Sequence, residues 1–454
     1  MSQRPFHVAI VGAGPAGFYT AAALLKQATV PLKIDLIDRL PSPYGLVRWG
    51  VAPDHQTVKG IERAFFRTFQ RPEVRFLGNV ALGHDVSVAE LQAHYHAIVY
   101  TIGNEGFRKI GLPGQQCAQV RSATEFVFWY NDHPHHHDRD FDLGNVRRVA
   151  IIGVGNVAVD VARILAKDRD ALAETDISPL ALAALRAAPI EEILLMGRRG
   201  PAQAAFSPKE IRELGDLEGV DVWTTPEDAA LDPASADWMP RAPKTAARNL
   251  ALVEALAERP RTGAARSIRC MFRVSPQSFV LDENGRMVGM TVGRNRLEPT
   301  DGRPRPVPTG ESWVEDVQLV LTSIGYRGVP VEGVPFDPDA GTIPNVGGRV
   351  TDAPGGPVRP GEYTAGWARR GPTGLIGSNR PDAKEVAGAL LGDLSAPDPR
   401  EDLVPVLSAR GVHVVSCMDW HRLDAEERRR GAAAGRVRTK FSSIQAMLDF
   451  LEDT

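Results

Sequence analysis

Twice in this chain a short apolar run breaks into a glycine-rich turn and then into a helix-forming stretch, and this repeat narrows the fold more than any other feature. Residues 7–11 lead directly into Gly12-Ala-Gly-Pro-Ala-Gly17, and residues 18–26 are helix formers. Residues 148–152 lead into Gly153-Val-Gly-Asn-Val-Ala158, and a helical stretch follows through Asp160, Arg163 and Leu165. Compact apolar runs of this kind suit strands buried on both faces, as parallel sheets require. Strand, glycine turn and helix together open a βαβ unit. The expected class is therefore α/β, with two dinucleotide-binding, Rossmann-like domains.

The length supports two such units. At 454 residues the chain exceeds a single common core, and its 43% hydrophobic and 24% charged content is that of a folded globular protein. Fifty-three basic against fifty-six acidic residues leave a net charge of -3, too near neutral for general attraction to nucleic acid or membrane. Cys117, Cys270 and Cys417 lie far apart, which excludes a disulfide framework, a CxxC redox pair and a cysteine-held cluster. The first apolar run stops at Gly12, too early for a secretory leader, and the expected location is the reducing cytoplasm.

Two further strands set the expected domain boundaries. Residues 97–103 and 317–325 share an apolar strand followed by Thr and Gly, the pattern of crossover points. If the chain leaves the first domain at one and returns at the other, the second unit is an insertion. The first domain then comprises 1–105 and 325–454, with a C-terminal segment 403–454, and the inserted domain comprises 106–324. Residues 295–312, rich in Pro, Gly and charge, suit a surface hairpin or loop. The run Asp132-His-Pro-His-His-His-Asp138, with His135 to His137 at its centre, lacks regular ligand spacing and reads as a solvated loop, with no metal assigned.

The two turns lead to different strand ends. At the first, Gly12 permits a sharp exit from the strand, Gly14 lets the backbone approach a pyrophosphate, and Gly17 allows close packing of helix on strand. Asp38 ends the second strand roughly 20 positions later, where a carboxylate can accept from ribose hydroxyls and disfavours a 2′-phosphate. FAD or NAD suits this site, unless Asp38 is only a turn residue. At the second, Gly153 and Gly155 are kept, Ala158 replaces the third glycine, and the next strand ends in Gly197-Arg198-Arg199 instead of an acid. Two guanidiniums there match a 2′-phosphate and favour NADP(H), the alternative being a solvated basic pair. Two dinucleotide sites in one chain imply electron transfer between them, and without a cysteine pair or cluster the final acceptor must be external.

Longer motifs carry a resemblance. Gly45-Leu-Val-Arg-Trp-Gly-Val-Ala-Pro-Asp-His55, Gly155-Asn-Val-Ala-Val-Asp-Val-Ala-Arg163, Gly197-Arg-Arg-Gly-Pro201 and Gly366-Trp-Ala-Arg-Arg-Gly-Pro-Thr-Gly374 resemble the adrenodoxin-reductase type of ferredoxin-NADP+ reductase, above all its actinobacterial members. The likeness runs from about Phe6 to the C-terminus and is weakest at Met271-Phe-Arg-Val-Ser-Pro276. It implies two three-layer (ββα) dinucleotide-binding domains, an NADP domain inserted in an FAD domain, and an NADPH-ferredoxin oxidoreductase. It further implies FAD contacts at Ala16, Asp38, Leu46, Val80, Trp367 and Gly374, Leu375 and Ile376. For NADP(H) it implies Val154, Gly155, Asn156 and Val157 at the pyrophosphate, Arg198 and Arg199 at the 2′-phosphate, and Glu210 nearer the nicotinamide.

His55 and Asp160, in matching motifs, are the expected proton-handling residues, joined by Glu213 one turn beyond Glu210. A partner ferredoxin is expected to dock on Arg212 and on Arg241, Lys244 and Arg248, whose spacing places the last three on one face if the segment is helical. The rival readings are a diaphorase that reduces quinones and a non-catalytic redox-sensing flavoprotein.

Overall fold

The computed structural model describes residues 4–453. Its first sheet has seven strands, with Phe6–Val11 paired in parallel to Leu32–Asp38 on one side and to Ala97–Tyr100 on the other. Val74–Gly78 extends one edge, and Val358–Thr364 joins Ala97–Tyr100 in parallel from far along the chain. Along Phe6–Val11 the side chains alternate between two cores: Val8 and Ile10 pack with Phe18, Leu24, Val386 and Leu390, whereas Ala9 and Val11 pack with Val88, Leu91 and Val350. Burial on both faces makes the run continuously apolar.

The second sheet has six strands, built within residues 120–322 and centred on Arg148–Ile152. Val149 and Ile151 face a core containing the helices Ala123–Tyr130 and Asn156–Ala166, while Ala150 and Ile152 face Phe279, Met290 and Val292 of a three-stranded antiparallel sheet. Helices, parallel sheet and antiparallel sheet form the three layers. At the passage between the units the chain is clasped by the two-residue strands Gly106–Phe107 and Tyr326–Arg327, paired antiparallel. The Pro-rich stretch forms the arm Met287–Thr300 and Arg303–Glu315, closed by Asp301 and Gly302, both at positive φ as the tight hairpin turn requires.

After residues 394–402 the chain ends in three helices, Val404–Ala409, Cys417–Ala433 and Ile444–Glu452, whose Trp420, Leu423, Met447 and Leu451 complete the first core. The histidine run corrects the expectation of a solvated loop. It is a turn, but His133 is only 2% exposed, with Trp49 at 5.5 Å and Phe128 at 4.7 Å between ring centroids. Burial holds His133 well below the ordinary histidine range and His136 at about 4, so neither carries charge at neutral pH.

Candidate functional site

The first turn is shaped partly by the chain and partly for something else. A Cβ at Gly12, whose φ is +107°, would lie 2.5 Å from the Thr101 carbonyl oxygen, and one at Gly17 would lie 2.1 Å from the Gly12 oxygen. The fold itself demands both glycines. Gly14 is different: a Cβ there meets only the Gly45 Cα, at 3.9 Å. Gly14 also begins the helix Pro15–Gln27 without a capping side chain, so the first N-H groups are free to face an anion. Asp38 lies beside the turn, its Oδ2 accepting from Ala13 N at 2.8 Å and its Oδ1 from Leu40 N at 3.0 Å. Burial pushes its carboxyl up to about 6 against those two bonds.

Other residues implied for FAD gather here. Val80 donates its N-H to the Asp38 carbonyl, Tyr44 donates to Ala13, and Leu46 opens the short helix that follows Gly45. Gly366 lies against Ala16, where a Cβ would come within 2.5 Å of the Ala16 Cβ, which brings Trp367 close to the turn. The indole donates to Thr373 O at 3.1 Å and contacts the Tyr326 ring at 5.3 Å. Gly374 takes a φ of +78°, and Leu375 and Ile376 lead into the helix Asn379–Asp393, with Leu375 64% exposed.

The second turn repeats the device. A Cβ at Gly153 would lie 2.2 Å from the Ser323 oxygen, whereas one at Gly155 would meet nothing within 4 Å. Gly155 likewise starts the helix Asn156–Ala166 without a capping side chain. Val154 O accepts from Ala205 N and Phe206 N, and Val157 packs on the core beneath. Asn156 Oδ1 accepts from Ser207 N at 2.7 Å, which fixes the start of the helix Pro208–Gly215 that carries Glu210, Arg212 and Glu213.

Beyond the turn, the backbone of Arg198 and Arg199 is held by Asn295 Nδ2 and Arg273 N, but their guanidiniums have no acidic partner among the described residues. Burial and the charges of Arg198, Arg305 and Arg303 depress Arg199 from its ordinary value. Arg303 and Arg305 were not foreseen. They come from the long hairpin, are exposed, and have no acidic partner among the described residues. Unopposed guanidiniums around an open helix start form a receptor for a multiply charged anion.

His55 stands between the two units. Its Nε2 is 3.3 Å from Glu213 Oε2 and 3.8 Å from Glu210 Oε2, and its Nδ1 is 3.7 Å from Asp160 Oδ1. The three expected residues thus meet directly, and Glu210 stands with them. Burial pushes Asp160 and Glu210 up, against the charges of Arg163 and His55. Sequence reasoning missed the frame of this cluster: Arg163 contacts Asp160 at 2.7 Å and Asp54 at 2.8 Å, while Lys167 contacts Asp54 at 3.0 Å. Burial raises Asp54, but these two cations overrule it and hold the carboxyl well below the usual range. Ligand atoms of His55, Asp160 and Glu210 lie within 4.8 Å of one another, yet Arg163, also 3.6 Å from Glu210, opposes a metal cation among them.

Arg212, Arg241, Lys244 and Arg248 are all exposed. The expectation of a single helical face needs correction: Lys244 and Arg248 lie on the helix Lys244–Glu258, but Arg241 ends the separate 3-10 turn Met239–Arg241, and Pro243 caps the helix between them. Arg241 instead reaches the hairpin tip, 3.8 Å from a Cβ built on Gly302. No helix among the described residues is long and apolar enough to cross a membrane.

Both turns fit a dinucleotide, since each keeps space at its second glycine that the protein leaves open. The family described as pyridine nucleotide-disulphide oxidoreductase matches residues 6–170. The chain is 41% identical to the NADPH-ferredoxin reductase FprA of Mycobacterium tuberculosis over 98% of its own length and 99% of that protein. It is also 41% identical to the mitochondrial NADPH:adrenodoxin oxidoreductase of Bos taurus, over 99% of this chain and 92% of the other. A solved structure of Mycobacterium tuberculosis FprA in complex with NADPH superimposes with a TM-score of 0.92 at 39% identity, covering 99% of this chain and all of that one. Full-length likeness of this order, together with the two turns and the arginine pair, makes this chain a member of the adrenodoxin-reductase type of ferredoxin-NADP+ reductases.

Proposed function

We propose that the protein is an NADPH-ferredoxin oxidoreductase, with FAD at the first turn and NADP(H) at the second. The observation that carries this reading is the pair of turns left open at Gly14 and Gly155, one beside a carboxylate and the other beside unpartnered guanidiniums. The turn at Gly14, with Asp38 beside it, would hold FAD, which would supply the chemistry of taking a hydride from NADPH and passing electrons singly to a one-electron acceptor. Arg198 and Arg199 bind the 2′-phosphate, with Arg303 and Arg305 adding positive potential around it. Asn156 orients the helix bearing Glu210 and Glu213, and His55 exchanges a proton at Nε2 with Glu213 while Asp160 orients its Nδ1 edge. The proposed division is an FAD domain of residues 1–105 and 325–454 around an NADP domain of 106–324. A reducing cytoplasm suits its free cysteines.

The acceptor we propose is an acidic iron-sulfur protein, docked on Arg212, Arg241, Lys244 and Arg248. A patch of this kind acts mainly on association and weakens as salt screens it. Reversing the charges of Arg241 and Arg248 should raise KM for ferredoxin and flatten its salt dependence while leaving ferricyanide reduction unchanged. The primary test is anaerobic: NADPH should bleach the yellow protein, and a ferredoxin should restore the colour. Colour restored by a quinone but not by any ferredoxin would favour a diaphorase, and no bleaching would leave a non-catalytic flavoprotein.

A further inference from the structure

His55 is bracketed by charges from elsewhere in the chain. On one side Asp54 is held by Arg163 and Lys167. On the other, the short helix Gln56–Lys59 sends two side chains to a single carboxylate, Asp176, which lies in the second unit between the helices Arg169–Ala173 and Pro179–Ala187. Asp176 Oδ1 accepts from Gln56 Nε2 at 2.9 Å and from Lys59 Nζ at 2.8 Å, and its Oδ2 is 2.6 Å from the same ammonium. A second ammonium, Lys440 from the C-terminal segment, approaches Oδ2 at 3.2 Å and donates to Asn131 O at 3.0 Å. Asn131 in turn donates to Val51 O at 3.2 Å, on the segment that leads to His55.

The three ionic side chains are at most 6% exposed. Two buried cations sharing one carboxylate are a costly way to fill space, since apolar residues of similar volume serve stability as well or better. What the arrangement does supply is geometry: three distant parts of the chain converge on the turn of helix that His55 caps. We propose that Lys440 and Asp176 are positioning residues for His55, acting through Lys59 and Gln56 to set where the imidazole stands against Glu213 and Asp160. The proposal rests on the proton-handling role proposed for His55.

The groups facing Lys440 are Asp176, Lys59, Arg48 and Asp132, and Arg438 and Glu62 face Lys59. Burial pushes Lys440 down to about 7, with Lys59 and Arg48 assisting and Asp176 and Asp132 opposing. A neutral amine keeps two donors where the ammonium has three, so the tie loosens by one hydrogen bond as pH rises through neutrality.

The test is stopped-flow reduction of the FAD-loaded enzyme by NADPH from pH 5.5 to 9, comparing wild type with Lys440→Met and Gln56→Met. Each variant should keep its FAD and its NADPH affinity, yet reduce its flavin about three- to tenfold more slowly at pH 7, with the midpoint of its pH profile displaced. Gln56→Met removes no charge, only the Nε2 bonds to Asp176 Oδ1 and to Pro53 O at 2.7 Å, so it carries the test should Lys440→Met fail to fold. A wild-type rate and pH profile in either folded variant, even with a lower Tm, would overturn the inference alone. Failure of the wild type to be reduced would overturn the functional reading and this inference with it.

Discussion

The two glycine turns use the same backbone for different ends. In both, the first glycine is forced by a neighbouring carbonyl, from Thr101 in one and Ser323 in the other. In both, the second glycine faces open space. They part at the third position, where Gly17 presses on the Gly12 oxygen while Ala158 buries a methyl without conflict. They part again at the end of the next strand: the acid of the first unit is satisfied by the chain's own N-H groups, and the guanidiniums of the second have no acidic partner among the described residues. The lesson is to separate glycines and charges that the fold requires from those it leaves for a ligand.

The largest expected effect breaks the comparison at the third position. Gly17→Ala sets a methyl into backbone and should cost about 3 kcal/mol, a large share of the usual stability of a fold, whereas Ala158→Gly should cost only about 1 kcal/mol. Thermal unfolding of both variants measures this, and equal losses would erase the distinction. Next, Ala at Arg198 or Arg199 removes a charge-assisted bond of about 1.5–3 kcal/mol, so Kd for NADPH should rise on the order of 10- to 100-fold and Kd for NADH should stay within about twofold. Flavin-reduction titrations with each cofactor would show it.

A smaller effect sharpens the likeness of the second glycines. Neither needs positive φ, since Gly14 sits at −86° and Gly155 at −104°, so alanine is tolerated by the backbone. Gly14→Ala should lower FAD retention and Gly155→Ala should weaken NADPH, while the stability of the FAD-free chain changes by about 1 kcal/mol or less. Loss of the fold in either would mean that the space serves the protein. The last effect is spread over pH. Asp38 holds its proton up to about 6 in the fold and to about 4 when unfolded, so between those values the folded state binds more protons and FAD-free stability falls as pH rises. Asp38→Asn should flatten that decline in a series of Tm measurements.

Much of this was legible in local pattern. Apolar runs, glycine spacing and the residue at the strand end all lie within one βαβ unit, so the turns, Asp38 and the arginine pair could be read directly. Pro243 was a local signal that went unused: it stands as the N-cap where the helix Lys244–Glu258 begins, which is why Arg241 falls off the face of Lys244 and Arg248. Long-range burial could not be read. His133 is covered by Trp49, and the Arg163 and Asp54 pair joins residues 109 apart. No spacing rule announces such partners, and the same holds for Arg303 and Arg305 arriving beside Arg199.

The parallel pairing of Val358–Thr364 with Ala97–Tyr100 also orders events on the ribosome. The inserted sheet has all its strands once residue 322 has emerged, so it can close while synthesis continues. The older strand waits with one edge bare until Thr364 arrives to face Tyr100, and only then can Glu362 take the Tyr100 hydroxyl at 2.8 Å. The half made first is therefore the half finished last, and the nascent chain carries an open sheet edge for most of its synthesis.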